Sequence, residues 1–288
     1  MIKKAIIPAA GYGTRSLPIT KVVPKEMFPI GNKPAIHYIV EEAVKSGIEQ
    51  ILIILSSRKN LIVDYFDYSL ELEAFLEREQ KVELLKKYNI PNIQIHYVRQ
   101  PYAKGLGEAI KLGETFIGKH PFAVLLPDDI IISNKETPLN QLIKVYEETK
   151  SSVLGIHTVP VEDLDRYGIV KGDSVKEDYI QITNIVEKPK VNPPSNLAVV
   201  GRYIFTPNIF QVLKKIEPGH GGEYQLTDAI ESLLKTKNVY GKIIDGKRFD
   251  IGQENDYIQL LNFIHAKNRA NMNWYVENLP NTLELKKI

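Results

Sequence analysis

The stretch Gln50-Ile51-Leu52-Ile53-Ile54-Leu55 decides the fold. It is an apolar run of strand length with no polar alternation, the pattern of a strand covered on both faces. A segment of helical period precedes it from Pro34 to Ser46, with Ile36, Ile39, Val40, Ala43 and Val44 on one face. Asn32 is the expected N-cap of that helix, Pro34 falls in its first turn and Gly47 stops it. Upstream, Lys4 to Pro8 reads as an earlier strand. Downstream, a strand from Ile93 to Val98, a helix from Gly107 to Phe116 and a strand from Phe122 to Leu126 continue the alternation. This β-α-β order, with right-handed crossovers, predicts an α/β fold: a Rossmann-like open mixed, mainly parallel sheet flanked by helices.

Between Ser69 and Tyr88 a charged segment carries Leu72, Leu76, Leu84 and Leu85 at helical spacing, which predicts a surface helix inserted between two strands. After about residue 150 the strand-like pieces become shorter: Ser152 to Val159, Tyr179 to Val186, Leu197 to Phe205 and Val239 to Ile244, interrupted by the Pro-rich turn Pro189 to Pro194. A helical period returns from Glu254 to Asn273. The expected organisation is one domain over 1–288, with a main part at 1–150, a smaller mixed α/β part at 151–253 and a helical part at 254–288.

Composition narrows the function classes. With Lys+Arg 37 against Asp+Glu 35 the net charge is +2, so no global basic field points to nucleic acid. Runs free of charged residues, such as Val191 to Gly201, end after 11 residues, short of the ~20 that a membrane helix needs. Pro8 and Gly11 break the first apolar run before it reaches the length of a signal peptide. Cys 0 excludes disulfides, thiolate metal sites and a cysteine nucleophile. The expected compartment is the cytoplasm.

The unusual loops all follow the carboxyl ends of predicted strands, where open parallel sheets form their ligand crevice. Ala9 to Arg15 follows the first strand, Gln100 to Gly107 the third, and Asp128-Asp129 the fourth. The first loop, Gly11-Tyr12-Gly13-Thr14-Arg15, is not the dinucleotide fingerprint, because Ser16 stands where the third glycine belongs. The Gly-Lys pairs that begin at 118, 241 and 246 are not followed by Ser or Thr, so no P-loop is present. Charge sets this segment apart: Lys3, Lys4, Arg15, Lys21, Lys25 and Lys33 face one acid, Glu26, within residues 1–33. A solvated face accounts for Lys3 and Lys4. Arg15, Lys21 and Lys25 lie in a long Gly- and Pro-containing loop, where a triphosphate could take backbone N–H groups plus cations. Asp128-Asp129 after Pro127 suits either a turn or a divalent cation held by one or two carboxylates plus phosphate oxygens. Asp250, in Arg248-Phe249-Asp250-Ile251-Gly252, is a second strand-end carboxylate that could close such a site.

Pro8-Ala-Ala-Gly-Tyr-Gly-Thr-Arg15, Leu17-Pro-Ile-Thr-Lys21 and Pro24-Lys25-Glu26-Met27 resemble the start of the sugar-1-phosphate nucleotidyltransferases. Further matches are Lys104-Gly-Leu-Gly107, Phe122-Ala-Val-Leu-Leu-Pro-Asp-Asp129, Arg166-Tyr-Gly-Ile-Val170, Val186-Glu-Lys-Pro189, Val200-Gly-Arg-Tyr203 and Gly221-Gly-Glu-Tyr-Gln-Leu-Thr-Asp-Ala229, in family order over nearly the whole chain. The resemblance implies Mg²⁺-assisted transfer of the uridylyl group of UTP to glucose 1-phosphate, giving UDP-glucose and pyrophosphate. It implies that Ala9, Gly11, Gly13, Thr14, Glu26, Gln100 and Gly105 form the nucleotide site, with Gln100 reading the base. It assigns Arg15 and Lys25 to the triphosphate, Asp128 and Asp250 to the metal, and Gly168, Glu187, Lys188 and Val199 to the sugar phosphate; Glu223 is placed near the site without a role. A strand-end salt bridge is the plain structural alternative for Glu187-Lys188. The rival functions are thymidylyl or other nucleotidyl transfer on the same fold, against which Glu26 argues because thymidylyltransferases commonly carry glutamine there, and a non-catalytic sugar-nucleotide sensor. A homodimer or tetramer is implied; Glu254 to Trp274, with Trp274 and Tyr275 at its end, reads either as a contact helix or as a helix packed on its own sheet, and no nucleic-acid or membrane partner is expected.

Overall fold

The computed structural model describes residues 1–85 and 91–277, with His220 and residues 270–277 by backbone alone. Its strands are β1 (Lys4–Ala9), β2 (Pro29–Ile30), β3 (Lys33–Pro34), β4 (Gln50–Leu55), β5 (Gln94–Arg99), β6 (Phe122–Leu125), β7 (Asp129–Ile132), β8 (Ser152–Thr158), β9 (Gly168–Lys176), β10 (Tyr179–Glu187), β11 (Leu197–Phe205), β12 (Val239–Ile243) and β13 (Lys247–Asp250). Its helices are α1 (Ala35–Lys45), α2 (Asn60–Phe66), α3 (Leu70–Arg78), α4 (Val82–Leu85), α5 (Leu106–Lys111), α6 (Glu114–Ile117), α7 (Pro138–Thr149), α8 (Asn208–Leu213), α9 (Leu226–Leu234) and α10 (Glu254–Glu277).

Nine strands form one sheet in the order β5-β4-β1-β6-β11-β8-β12-β10-β9. The first four are parallel throughout, with Ala5 opposite both Ile51 and Ala123. Successive residues of these strands feed two cores, as period-2 side chains must. Ala5, Ile7, Ile51, Ile53 and Leu55 join the side chains of α1, α2, α7 and α10, whereas Ile6, Leu52 and Ile54 join those of α5, α6, α8 and α9. Each fully buried Ile or Leu contributes about 1.5–3 kcal/mol, so an uninterrupted apolar run is what a doubly covered strand requires.

Beyond β6 most pairings turn antiparallel. β11 is shared: Arg202–Phe205 pair with β6, while Leu197 and Ala198 pair with both β8 and β9. The pairings β11–β9, β9–β10, β10–β12, β12–β8 and β8–β11 form a closed circuit, with parallel pairing kept only between β12 and β8. β7 and β13 stand apart as a two-stranded antiparallel ladder that sets Asp250 opposite Asp129.

Three local expectations are corrected. Asn32 does not cap α1; it sits in the turn between β2 and β3, and Pro34 occupies the cap position with the Ala35 amide donating to the Phe28 carbonyl at 3.0 Å. The inserted surface helix is two short ones, α3 and α4, divided where Gln80 takes φ 54°; residues 86–88 of that expectation lie outside the described residues. Gly107 to Phe116 is likewise two helices, α5 and α6. The expected contact residues Trp274 and Tyr275, and the end of the 254–288 part, lie outside what the structure describes in side chains or altogether.

Candidate active site

The loops after β1, β4, β5 and β6 converge at the carboxyl edge of the parallel strands, and two cavities open there. The smaller, about 240 Å³, is lined by Ala10, Gly11, Lys25, Glu26, Gln100 and Gly105 among others. The larger, about 740 Å³, holds Arg15, Gly168, Glu187, Lys188, Val199 and Asp250. Leu106, Leu126, Asp128 and Glu223 line both, so the cavities meet at the end of β6.

The small cavity is shaped by backbone. A Cβ on Gly11 would meet nothing within 4 Å, which leaves its main chain open to a close neighbour. Gly105 holds φ 103° and ψ 169°, and a Cβ there would lie 2.8 Å from the Tyr224 carbonyl oxygen and 2.9 Å from the Tyr224 nitrogen. The 104–107 turn is zipped to residue 224, for Tyr224 N donates to the Lys104 carbonyl and Gly107 N to the Tyr224 carbonyl, each at 2.8 Å. Gln100 is buried and its Nε2 donates to Glu108 Oε2 at 2.6 Å. Glu26 lies beneath, its Oε2 2.6 Å from Lys59 Nζ with side-chain exposures of 1% and 7%, while its Oε1 is buried without a partner.

Charges alternate along the junction. Lys25 Nζ stands 2.5 Å from Asp128 Oδ2, and Arg15 Nη1 3.8 Å from Asp250 Oδ2. Burial opposes the charge of Lys25, but Asp128 and Glu26 overcome it and hold its pKa above the ordinary value. Burial likewise works against the Asp128 carboxylate, and Lys25 reverses the balance to leave its pKa lowered. Asp250 differs: burial first, then the charges of Asp128 and Asp129, push its pKa up, and Arg15 and Arg248 offset this only in part. Asp128 and Asp250 stand on one cavity wall, where the charge of Asp128 helps to raise the pKa of Asp250, and as hard oxygen donors they fit a divalent cation. Among the described residues no group of three or more His, Cys, Asp or Glu side chains could hold a metal, so phosphate oxygens and water would complete the shell.

The acidic pair divides its roles. Asp129 is used up: its Oδ2 accepts from Gly201 N and its Oδ1 from Arg248 Nε, both at 2.8 Å. Asp128 faces both cavities, and its carbonyl accepts from Ile251 N at 2.9 Å, which ties it to the segment carrying Asp250. On the far wall Glu187 Oε2 accepts from Thr227 Oγ1 at 2.5 Å, and Glu187 Oε1 lies 3.3 Å from Lys188 Nζ. The Lys188 side chain remains 45% exposed, so the pair does not sequester its charge.

Three expected nucleotide residues fall elsewhere. Ala9 is wholly buried at the end of β1 and Ala10 lines the cavity in its place. Gly13 lines neither cavity; at φ 67° its carbonyl accepts from Thr20 Oγ1 at 2.8 Å and closes the turn. Thr14 faces the large cavity beside Arg15. Sequence reasoning missed Lys59, Glu108, Tyr167, Thr227 and Arg248. Lys59 had a readable signal, since it lies four residues past the carboxyl end of β4, in a loop of the same class as those singled out.

A family model described as nucleotidyl transferase matches residues 4–267. The chain belongs to the nucleotidyl transferase family. This nucleotidyl transferase is 51% identical over 261 residues to a UTP–glucose-1-phosphate uridylyltransferase of Bacillus subtilis (strain 168), covering 89% of both chains. A crystal structure of a UDP-glucose pyrophosphorylase complexed with UDP-glucose superimposes with TM-score 0.85 at 42% identity, over 93% of this chain and 100% of that one. A UTP-bound enzyme of the same activity from Acinetobacter baumannii gives TM-score 0.84 at 36% identity, over 97% of this nucleotidyl transferase and 100% of that chain. Nucleotidyl transferases generally use a divalent metal. No helix among the described residues is long and apolar enough to cross a membrane.

Proposed function

We propose that the chain transfers the uridylyl group of UTP to glucose 1-phosphate, releasing pyrophosphate and leaving UDP-glucose. The observation that carries this is the pair of cavities joined at Asp128, one narrow and walled by backbone and a buried amide, the other wide and bearing Lys188 and Glu187. Its likeness to the uridylyltransferases supports the choice of substrates, and the single sheet that carries strands of both parts supports one catalytic domain.

The small cavity takes the uridine. An amide carries donors and an acceptor that complement the carbonyl acceptors and N3–H donor on the edge of uracil, and Gln100 presents one from a buried site with Glu108 fixing its rotation. Gly11 and Gly105 let the main chain approach the nucleoside. Arg15 and Lys25 stand at the junction for the triphosphate, where a cation and a phosphate 4 Å apart gain roughly 4 kcal/mol at an effective dielectric of 20. Lys188 binds the phosphate of the sugar, and Glu187, held by Thr227, accepts from sugar hydroxyls.

A phosphate oxygen of glucose 1-phosphate attacks the α-phosphorus of UTP in line; the bond to the β-phosphate bridging oxygen breaks and its electron pair leaves with pyrophosphate. That nucleophile is already ionised at neutral pH, so no general base is needed. Arg15 and Lys25 stabilise the charge that develops on the leaving group. Asp128 and Asp250 would hold Mg²⁺, which would supply positive charge to neutralise phosphate oxygens.

Mass-spectrometric analysis of the products from UTP and glucose 1-phosphate tests this reading. It expects UDP-glucose and pyrophosphate in equal amounts, and UTP with glucose 1-phosphate re-formed when both products are supplied. A nucleotide product without hexose would refute it.

A further inference from the structure

Arg248 reaches the large cavity from β13 with only 11% of its side chain exposed. Its Nε is fixed on Asp129 Oδ1 at 2.8 Å, and its guanidinium carbon stands 4.6 Å from the centre of the Tyr167 ring. Asp129 cannot turn away to a substrate, because its second oxygen is engaged by the Gly201 amide. The Tyr167 ring packs against the cluster of Val159, Leu164, Ile169 and Ala198. Its carbonyl accepts from the Lys188 amide at 3.0 Å. Lys188 itself holds φ 45°, a left-handed conformation that non-glycine residues seldom adopt without a local constraint. Asp129, Arg248, Tyr167 and Lys188 thus form one continuous run of contacts from the strand that starts beside Asp128 to the end of β10.

We infer that Arg248 is a positioning residue for the sugar phosphate: locked by Asp129 and stacked on Tyr167, it fixes the backbone from which Lys188 is aimed into the cavity. The inference rests on the function proposed above, and it adds that the metal-side ladder β7–β13 sets the geometry of the sugar side. A planar guanidinium serves because it can donate along its edge and stack through its face at once, which an ammonium cannot.

The test is steady-state kinetics of Arg248→Met, with urea denaturation monitoring the fold. The KM for glucose 1-phosphate is expected to rise on the order of tenfold while the KM for UTP stays within twofold. In a Lys188→Ala background the same substitution is expected to add less than twofold, because the group it positions is gone. Arg248→Lys is expected to behave like Arg248→Met, and it carries the test if the methionine variant does not fold. Equal rises in both KM values, or a lowered kcat at unchanged KM, would overturn the inference as a structural effect. Full additivity with Lys188→Ala would also overturn it, by placing Arg248 directly on the substrate. Absence of pyrophosphate release by the wild-type protein refutes the functional reading and the inference together, whereas wild-type release with an unchanged Arg248→Met refutes the inference alone.

Discussion

Gly105→Ala separates the two halves of the site. Gly105 lies at φ 103° and ψ 169°, a region open essentially to glycine alone, so any side chain there costs about 1–3 kcal/mol in the backbone. The added Cβ would also fall 2.8 Å from the Tyr224 carbonyl oxygen and 2.9 Å from both the Tyr224 nitrogen and the Glu223 Cβ. Two of these atoms are backbone, so the 104–107 turn must move away from residue 224 and strain the bonds that join Tyr224 to Lys104 and Gly107. Taking about 2 kcal/mol as the share that bears on nucleotide binding, the KM for UTP should rise about thirtyfold. Gly168, Glu187 and Lys188 lie on β9, β10 and the turn after β10 respectively, so the KM for glucose 1-phosphate should change less than threefold. Pyrophosphate release at varied UTP and at varied sugar phosphate gives both constants, and a thermal melt shows whether the variant is folded. A folded variant with an unchanged KM for UTP would refute the assignment of the small cavity to uridine.

Asp128→Asn is expected to lower kcat about a thousandfold at millimolar Mg²⁺, because the junction loses the charge shared with Asp250; wild-type rates would sink the metal assignment. Lys188→Ala should raise the KM for glucose 1-phosphate at least tenfold with little change in that for UTP, read in the same assay. Arg202 is fully buried and pairs with Glu42 through Nε at 2.8 Å and Nη2 at 2.7 Å, so Arg202→Met strands a buried carboxylate and should cost about 3–5 kcal/mol in urea unfolding; adding Glu42→Leu should recover most of it. Burial lowers the pKa of His37 below its ordinary value, with Glu41 opposing and Lys33 adding to the shift. The unfolded chain therefore binds that proton more readily: the His37 contribution is complete above about pH 6.5 and is lost as the pH falls through the lowered folded value. Thermal melts from pH 7.5 to pH 5 should show a shallower acid-side loss in His37→Asn than in wild type.

Those parts of the fold governed by repetition were legible in the chain. Ile51 to Leu55 and Leu197 to Phe205 announce themselves because a strand buried on both faces has no polar alternation to confuse with a helix. β7 and β13 do not, since a four-residue ladder has too little sequence for a period, and Asp129, a loop residue by its sequence, opens a strand. That boundary also decides the chemistry. Which of two adjacent aspartates reaches both cavities depends on where strand alternation begins, and only the structure shows Asp129 committed to Arg248 and Gly201 while Asp128 meets both cavities. Lys25 and Arg15 were found through a local excess of cations. Lys59 is readable from its place after β4, but its pairing with Glu26, 33 residues away, is not, because long-range ion pairs leave no local pattern. Asn32 misled because a capping residue and a hairpin-turn residue are the same kind of residue, and the Phe28 carbonyl supplied the cap instead.

The most direct test is pyrophosphate release from glucose 1-phosphate with UTP, dTTP, ATP and GTP in parallel, each with and without Mg²⁺. Release with UTP alone, and only with Mg²⁺, is the expected result. Preference for dTTP would contradict the reading of Glu26 and the small cavity while keeping the mechanism, and silence with all four nucleotides would contradict catalysis itself.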